Sequence, residues 1–245
     1  RGSYKSFLAI DMALRCAAMG DSVYFISAEG GDFDRRARAW LIENDCLERV
    51  MEFPLYVVEK RLNLSTREGI ELIRADCARH QIKPALFVID TYSKSSGGLD
   101  ENENTATKAF LGLLDLGLKR AYDATVLLIA HTGHGDQARP RGASALGADT
   151  DAEYIVSRNA LDNSVSLTRQ RFKSSPELPP LNYMPEIVDL GYADAEGTTI
   201  SSLVMVPVEA QTAAMPRVLL KKHPGRLYAV ARELLMEKDE IAISD

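Results

Sequence analysis

The first ten residues, RGSYKSFLAI, contain a Lys-Ser pair directly before an apolar, helix-like stretch. Lys5 and Ser6 match the end of the phosphate-loop pattern G-x-x-x-x-G-K-[ST]. In that pattern, backbone N–H groups and the lysine hold nucleotide phosphates while the hydroxyl reaches Mg²⁺. The glycine expected before the lysine is Tyr4, whose Cβ disfavours a positive φ. A capped surface helix with an incidental lysine is the simpler interpretation.

Two carboxylates follow short apolar runs that predict buried strands. Asp90 ends such a run, and ligands of open parallel sheets bind at the carboxyl ends of strands. Asp90 is therefore placed to organise the Mg²⁺ of a nucleotide, although it could instead cap the next turn. Glu29 follows the preceding run and could polarise an attacking water. The alternative is a solvated loop acid ahead of a helix capped by Asp32.

A histidine follows the third predicted parallel strand. His131 could contact the γ-phosphate of a nucleotide and relay its loss to the adjoining loop. A zinc site with His134 and Asp136 is an alternative, but no cysteine or further histidine is nearby. A plain surface loop is the third interpretation.

Basic residues in the second half of the chain could meet phosphates. Arg169, Arg171 and Lys173 alternate along one predicted strand, which predicts that all three lie on one sheet face. They could reach the nucleotide of a neighbouring subunit, where a positive charge is worth about 10³-fold or more in rate. A charged, protected edge strand is the alternative. Arg139 and Arg141 lie in a small-residue segment that could face nucleic acid or a neighbouring subunit.

Composition limits the class of protein. The 245 residues suffice for one large domain, or one domain with an appendage. A net charge of −6 argues against a protein whose whole surface binds nucleic acid, while allowing a local basic channel. Three well-separated cysteines predict buried thiols in a reducing cytoplasm. No apolar run reaches the roughly 18 residues of a membrane span, and no secretory signal is present. These features predict a cytoplasmic protein without membrane contact.

The elements that position these residues alternate between strand and helix patterns. The predicted elements are helix 5–19, strand 22–28, helix 32–44, strand 50–58, capped helix 65–80, strand 84–90, polar loop 93–105, helix 106–122 and strand 125–130. This order predicts an α/β fold with a parallel sheet covered by helices on both faces. Later residues are β-rich, with strands predicted at 152–158, 164–171 and 201–208. Residues 211–216 are typical of a linker, and 227–238 of a helix.

Taken in order, the motifs resemble one family. They are S-Y-K-S, I-S-A-E-G, L-F-V-I-D-T, I-A-H-T-G, P-R-G-A-S-A-L and R-F-K-S-S-P-E. Over residues 1–185 the chain resembles the RecA-like ATPases related to RepA, the hexameric replicative helicase of mobile plasmids. The resemblance implies a RecA-like P-loop NTPase core over 1–210, a β-rich extension, and a linker with a small helical module over 211–245. It also implies ATP and Mg²⁺ as cofactors, a homo-oligomeric ring expected to be a hexamer, and single-stranded DNA in its centre.

The resemblance assigns roles position by position. The phosphate-binding set would be Gly2, Ser3, Tyr4, Lys5 and Ser6. Ser6 and Asp90 would organise magnesium.

Further roles follow from the later motifs. Glu29 would be the catalytic carboxylate and His131 the sensor at a strand end. Arg171 and Lys173 fall in the finger region that reaches the next subunit, and Arg169 could serve instead. The loops after the third and fourth predicted strands would line the central hole. The candidate DNA contacts there are Lys94, Lys108, Arg139 and Arg141.

Three functions stay open at this point. The first is a ring-forming ATPase motor, a replicative-type helicase acting on single-stranded DNA. The second is a recombination or loading ATPase that binds DNA without unwinding it. The third is a nucleotide-binding regulatory module with no motor activity.

Overall fold

Apolar runs form the centre of two sheets in the computed structural model. It describes residues 4–30, 32–100, 103–131, 146, 149–172 and 179–208. The helices are α1 (Lys5–Ala18), α2 (Phe33–Glu43), α3 (Arg67–Arg79), α4 (Tyr92–Ser95), α5 (Asn104–Leu114) and α6 (Arg120–Tyr122). The strands are β1 (Val23–Ser27), β2 (Leu55–Val58), β3 (Leu86–Asp90), β4 (Thr125–Ile129), β5 (Ala152–Arg158), β6 (Val165–Phe172), β7 (Leu181–Ala193) and β8 (Thr199–Val208).

The first sheet is parallel, with strand order β2-β1-β3-β4. Every residue of β1 and β3 is buried, as expected for central strands of a sheet covered on both faces. Ser27 pairs with Asp90, and Asp90 pairs with Ile129, so these three strands end at the same level. The residues that follow them therefore meet at one edge of the sheet.

Helices cover both faces of this sheet, which confirms the predicted fold class. Because side chains alternate along a strand, Phe25 packs with α1 and α2, whereas Ile26 packs with α3 and α5. α1 and α2 are also joined by a buried hydrogen bond of 2.7 Å from Trp40 Nε1 to Asp11 Oδ1. This bond fixes the start of α2 relative to the helix that begins at Lys5.

The second sheet is antiparallel, with order β5-β6-β7-β8. Val188 and Val204 extend the core formed by α1 and α2, and Leu167 packs near Leu8. The sequence predicted β5, β6 and β8 but missed β7, which contains Pro185. β6 pairs with β7 only over 181–183, so Pro185 lies on a free edge where a missing N–H is tolerated.

Three local predictions differ from the structure. The strand predicted at 50–58 is wrong in its first part, because Leu47–Glu52 is a 3₁₀ helix and only β2 is extended. Pro54 lies between them and leads into an edge strand. The predicted loop 93–105 contains most of the short helix α4 and the start of α5. The predicted helix 106–122 is interrupted by a π-helical turn over Asp115–Lys119.

The predicted linker and C-terminal helix lie outside the described residues, so the proposed domain boundary stays a prediction. Within the part of the chain that the structure describes, no helix has the length and apolar character needed to cross a membrane. Cys16 and Cys77 are buried free thiols, as predicted, and Cys46 is partly exposed.

Candidate functional site

The site begins at the N-terminus of α1. Tyr4 occupies the position before the helix, and its carbonyl accepts a hydrogen bond of 3.1 Å from the backbone N–H of Leu8. A helix leaves its first N–H groups without intrahelical partners, which makes this end attractive to anions. Lys5 and Ser6 are the first two helical residues. The predicted phosphate contacts Gly2 and Ser3 lie outside the described residues.

Tyr4 adopts the conformation that the phosphate-loop pattern usually assigns to glycine. Its φ is 60° and its ψ is 18°, in the left-handed region. Such a conformation costs a residue with a side chain about 1–3 kcal/mol. The Tyr4 ring packs edge-on against Phe7 at 5.9 Å, and the Arg158 guanidinium lies 5.2 Å from the ring centroid. These contacts offset the strain and join the start of α1 to β5.

Lys5 and the carboxylates at the sheet edge act on one another. Lys5 is partly buried, and desolvation lowers its pKa, while the charges of Asp90 and Glu29 partly offset this effect. Asp90 is 5% exposed, and burial raises its pKa. A hydrogen bond from the Ser6 hydroxyl opposes that increase. The lysine, serine and aspartate therefore form one electrostatic group, as the sequence predicted.

The Asp90 side chain has an unused oxygen. Its Oδ1 is buried and has no hydrogen-bond partner among the described residues. A buried carboxylate oxygen next to a serine hydroxyl fits Mg²⁺, which prefers oxygen ligands and bound phosphates. Ser6 and Asp90 are the residues that would hold this ion.

The zinc alternative finds no support in the described part of the chain. No group of three or more His, Cys, Asp or Glu residues there could hold a metal ion. Of the residues considered for zinc, His134 and Asp136 lie outside that part.

Glu29 lies beside Asp90 and is held by the backbone. The N–H groups of Ala28 and Glu29 both donate to the Asp90 carbonyl, at 2.7 and 3.3 Å. Gly30 follows with a φ of 71°, which allows the chain to turn away into α2. The Glu29 side chain is 41% exposed, so its carboxylate is accessible to water.

His131 reaches the same carboxylate from the end of β4. Its Nε2 lies 3.4 Å from Glu29 Oε1, and its side chain is 34% exposed. The structure thus brings together five residues that the sequence singled out: Lys5, Ser6, Glu29, Asp90 and His131.

Two further residues of this site were not assigned from the sequence. Thr91 is buried and donates a hydrogen bond of 3.3 Å to Glu29 Oε1. Arg36 lies with its guanidinium 4.6 Å from the centroid of the Phe7 ring, and its charge lowers the pKa of Asp90 in part. Thr91 stands in the motif L-F-V-I-D-T, and Arg36 lies in the basic helix predicted at 32–44, but neither pattern indicates which side chain faces the site.

The prediction that the β6 cations share one face is wrong for Arg169 and Arg171. Arg169 pairs with Tyr154 and Arg171 with Glu153, so Gln170 is an extra residue in the ladder. Paired residues lie on the same face, whereas the neighbours Tyr154 and Glu153 lie on opposite faces. The bulge therefore separates the two arginines. Arg169 is partly buried, and Arg171 is exposed.

The remaining basic candidates are scattered. Lys94 is exposed on α4 and Lys108 is exposed on α5, both near the carboxyl end of β3. The sequence between them carries the acidic residues Asp100, Glu101 and Glu103. The other predicted phosphate contacts, Arg139, Arg141 and Lys173, lie outside the described residues.

Comparison with known proteins agrees with this architecture. Residues 1–137 match the model of a family described as an AAA domain. The chain is similar to the crystal structure of the RadB recombinase, with 15% identity and a TM-score of 0.52 over 74% of this chain and 82% of that one. It is also similar to the ATPase domain of a helicase, with 13% identity and a TM-score of 0.59 over 85% of this chain and 82% of that one. At this identity the likeness shows the RecA-like fold alone. A search of curated proteins found no match.

Proposed function

The chain belongs to the AAA domain family, and we propose that it hydrolyses ATP with Mg²⁺ as a ring-forming motor on single-stranded DNA. The observation that carries the ATPase proposal is the meeting of Lys5, Ser6, Asp90 and Glu29 at one sheet edge. A lysine at a helix N-terminus, a buried aspartate with an unused oxygen and an accessible glutamate are the groups that ATP hydrolysis requires.

Each residue has a distinct part in this proposal. Lys5 neutralises charge on the phosphate oxygens, and its low-dielectric surroundings strengthen that attraction. Ser6 and Asp90 hold the Mg²⁺, which supplies further positive charge to the phosphates when bound. Glu29 orients the attacking water and accepts its proton. His131 contacts Glu29 and lies where a change at the phosphate would be sensed.

A cation from a neighbouring subunit would complete the site. Arg171 is the first candidate, because it is exposed and lies on the face of the second sheet opposite Arg169. Arg169 is less suited, because it lies beside the partly buried Tyr154. Lys173 is the remaining candidate from the sequence. In assembled protein, Arg171→Ala is predicted to preserve nucleotide affinity and to lower kcat by about 10³-fold.

ATP binding and turnover in matched variants test the ATPase proposal. Lys5→Ala is predicted to lose binding of a fluorescent ATP analogue, whereas Lys60→Ala, which changes an exposed lysine after β2, keeps it. Glu29→Gln is predicted to bind the analogue and to lose about 10²- to 10⁴-fold in kcat. Hydrolysis that persists in Lys5→Ala would contradict the proposal.

The proposed motor activity has its own test. Electron microscopy with ATP and an oligonucleotide is expected to show rings, and a strand-displacement assay is expected to show unwinding. The likeness to the RadB recombinase favours a second candidate, a recombination or loading ATPase. Filaments without unwinding would favour that candidate, and monomers indifferent to DNA would favour a regulatory module.

A further inference from the structure

We propose that Thr91 is a positioning residue that holds Glu29 Oε1, leaving Glu29 Oε2 to take the proton of the attacking water. This inference rests on the proposed ATPase function and adds a residue to it. Thr91 follows Asp90 directly and is 1% exposed.

A short chain of hydroxyl groups carries the argument. Thr91 Oγ1 lies 3.3 Å from Glu29 Oε1 and 3.3 Å from Ser93 Oγ. An ionised carboxylate only accepts hydrogen bonds, so the Thr91 proton is directed to Glu29. The Ser93 hydroxyl then donates to Thr91. Each proton in the chain has one acceptor, which gives the carboxylate a defined orientation.

Both side-chain contacts to Glu29 fall on the same oxygen. His131 Nε2 approaches Oε1 at 3.4 Å, on the side of β4, and Thr91 approaches it from the end of β3. Within the ranges that the structure describes, Glu29 Oε2 has no hydrogen bond. The backbone N–H of Glu29 also donates to the Asp90 carbonyl. The segment Asp90–Thr91 thus holds Glu29 at both its backbone and its side chain.

Glu29 needs such a contact because it is partly exposed. Three rotatable bonds and a 41% exposed side chain leave the carboxylate many orientations in water. Thr91 is buried and β-branched, and its χ1 is therefore restricted. A rigid donor that holds a mobile general base is a direct way to fix the base relative to the reacting atoms.

The hydroxyl has no competing structural role in the described residues. Thr91 stands at the N-cap position of α4, where a threonine side chain often caps the helix, but it makes no such hydrogen bond. The N–H groups of Lys94 and Ser95 instead donate to the Thr91 backbone carbonyl. Removing the hydroxyl therefore leaves the backbone hydrogen bonds of α4 in place.

A matched pair of variants tests the proposal. Thr91→Val keeps the shape and removes the hydroxyl, and Thr91→Ser keeps the hydroxyl. In the full chain, Thr91→Val is predicted to lower kcat for ATP by about 10- to 100-fold with KM nearly unchanged. Thr91→Ser is predicted to keep kcat within about 3-fold of the unchanged protein, because it still donates to Glu29. Thr105→Val, at an exposed site on α5, is the control and is expected to behave as the unchanged protein.

The outcomes separate this proposal from the ATPase proposal itself. An unchanged kcat in Thr91→Val, with Glu29→Gln inactive, would overturn the positioning role alone. An equal loss in Thr91→Val and Thr91→Ser, or a loss confined to KM, would also overturn it. A chain that shows no Lys5-dependent turnover would instead contradict the ATPase proposal. If Thr91→Val lacks a cooperative melting transition, Thr91→Ala replaces it with the same predicted loss of kcat, and normal turnover there would overturn the role.

Discussion

Replacing Tyr4 separates backbone strain from packing at the start of α1. The left-handed conformation costs a residue with a Cβ about 1–2 kcal/mol, and glycine adopts it freely. The Tyr4 ring gains about 0.5–1.5 kcal/mol from the edge-on Phe7 contact and about 0.5–1 kcal/mol from the Arg158 guanidinium. Tyr4→Ala loses these contacts and keeps the strain, so it is predicted to be less stable by about 2 kcal/mol.

Tyr4→Gly loses the same ring contacts but removes the strain. After the greater unfolded-state entropy of glycine is subtracted, at about 0.5–1 kcal/mol, this variant should be about 1 kcal/mol less stable than the unchanged protein. For a protein of this size, about 1 kcal/mol corresponds to a Tm change of about 2–4 °C. Melting temperatures should therefore fall by one such step in Tyr4→Gly and by a second in Tyr4→Ala.

Differential scanning calorimetry of the three proteins, without nucleotide, measures this order. Tyr4→Phe is the control, because it keeps the ring and should melt close to the unchanged protein. A Tm for Tyr4→Ala at or above that of Tyr4→Gly would refute the reasoning, since it would mean that residue 4 has no strained backbone to relieve.

Other predictions concern groups away from the nucleotide. Asp11→Ala leaves the Trp40 N–H without its buried acceptor and should lower the free energy of unfolding by about 3 kcal/mol in a urea titration. Burial raises the pKa of Asp21 above 3.8, so the folded state binds its proton more tightly; the free energy of unfolding should therefore fall, relative to Asp21→Asn, as pH rises above about 4. A flat difference between the two pH profiles would contradict this. Burial also raises the pKa of the Cys16 thiol, and mass spectrometry of the native protein should find Cys46 alkylated well before Cys16.

The main residues of the site were predictable because they follow a simple rule. Glu29, Asp90 and His131 each follow an apolar strand, and the ends of parallel strands meet at one sheet edge. Lys5 and Ser6 were identified by a short motif at the start of a helix. The element pattern also predicted the two-sided α/β core.

Other features depend on tertiary contacts that leave no local pattern. The conformation of Tyr4 is offset by Arg158, which lies far away in the sequence. The extra residue at Gln170 reverses the facing of Arg171, and alternation within β6 contains no sign of it. β7 carries Pro185 and was missed because the free edge that accommodates a proline appears only in the assembled sheet. Thr91 needed the position of Glu29 before its hydroxyl acquired a role.

The most direct test of the central claim is a structure of this chain with Mg²⁺ and a non-hydrolysable ATP analogue. The analogue's terminal phosphates are predicted to lie within hydrogen-bond distance of Lys5 Nζ, with the metal about 2.1 Å from Ser6 Oγ and Asp90 on its outer side. An analogue bound elsewhere, with this helix terminus and Asp90 Oδ1 left without ligand, would contradict it.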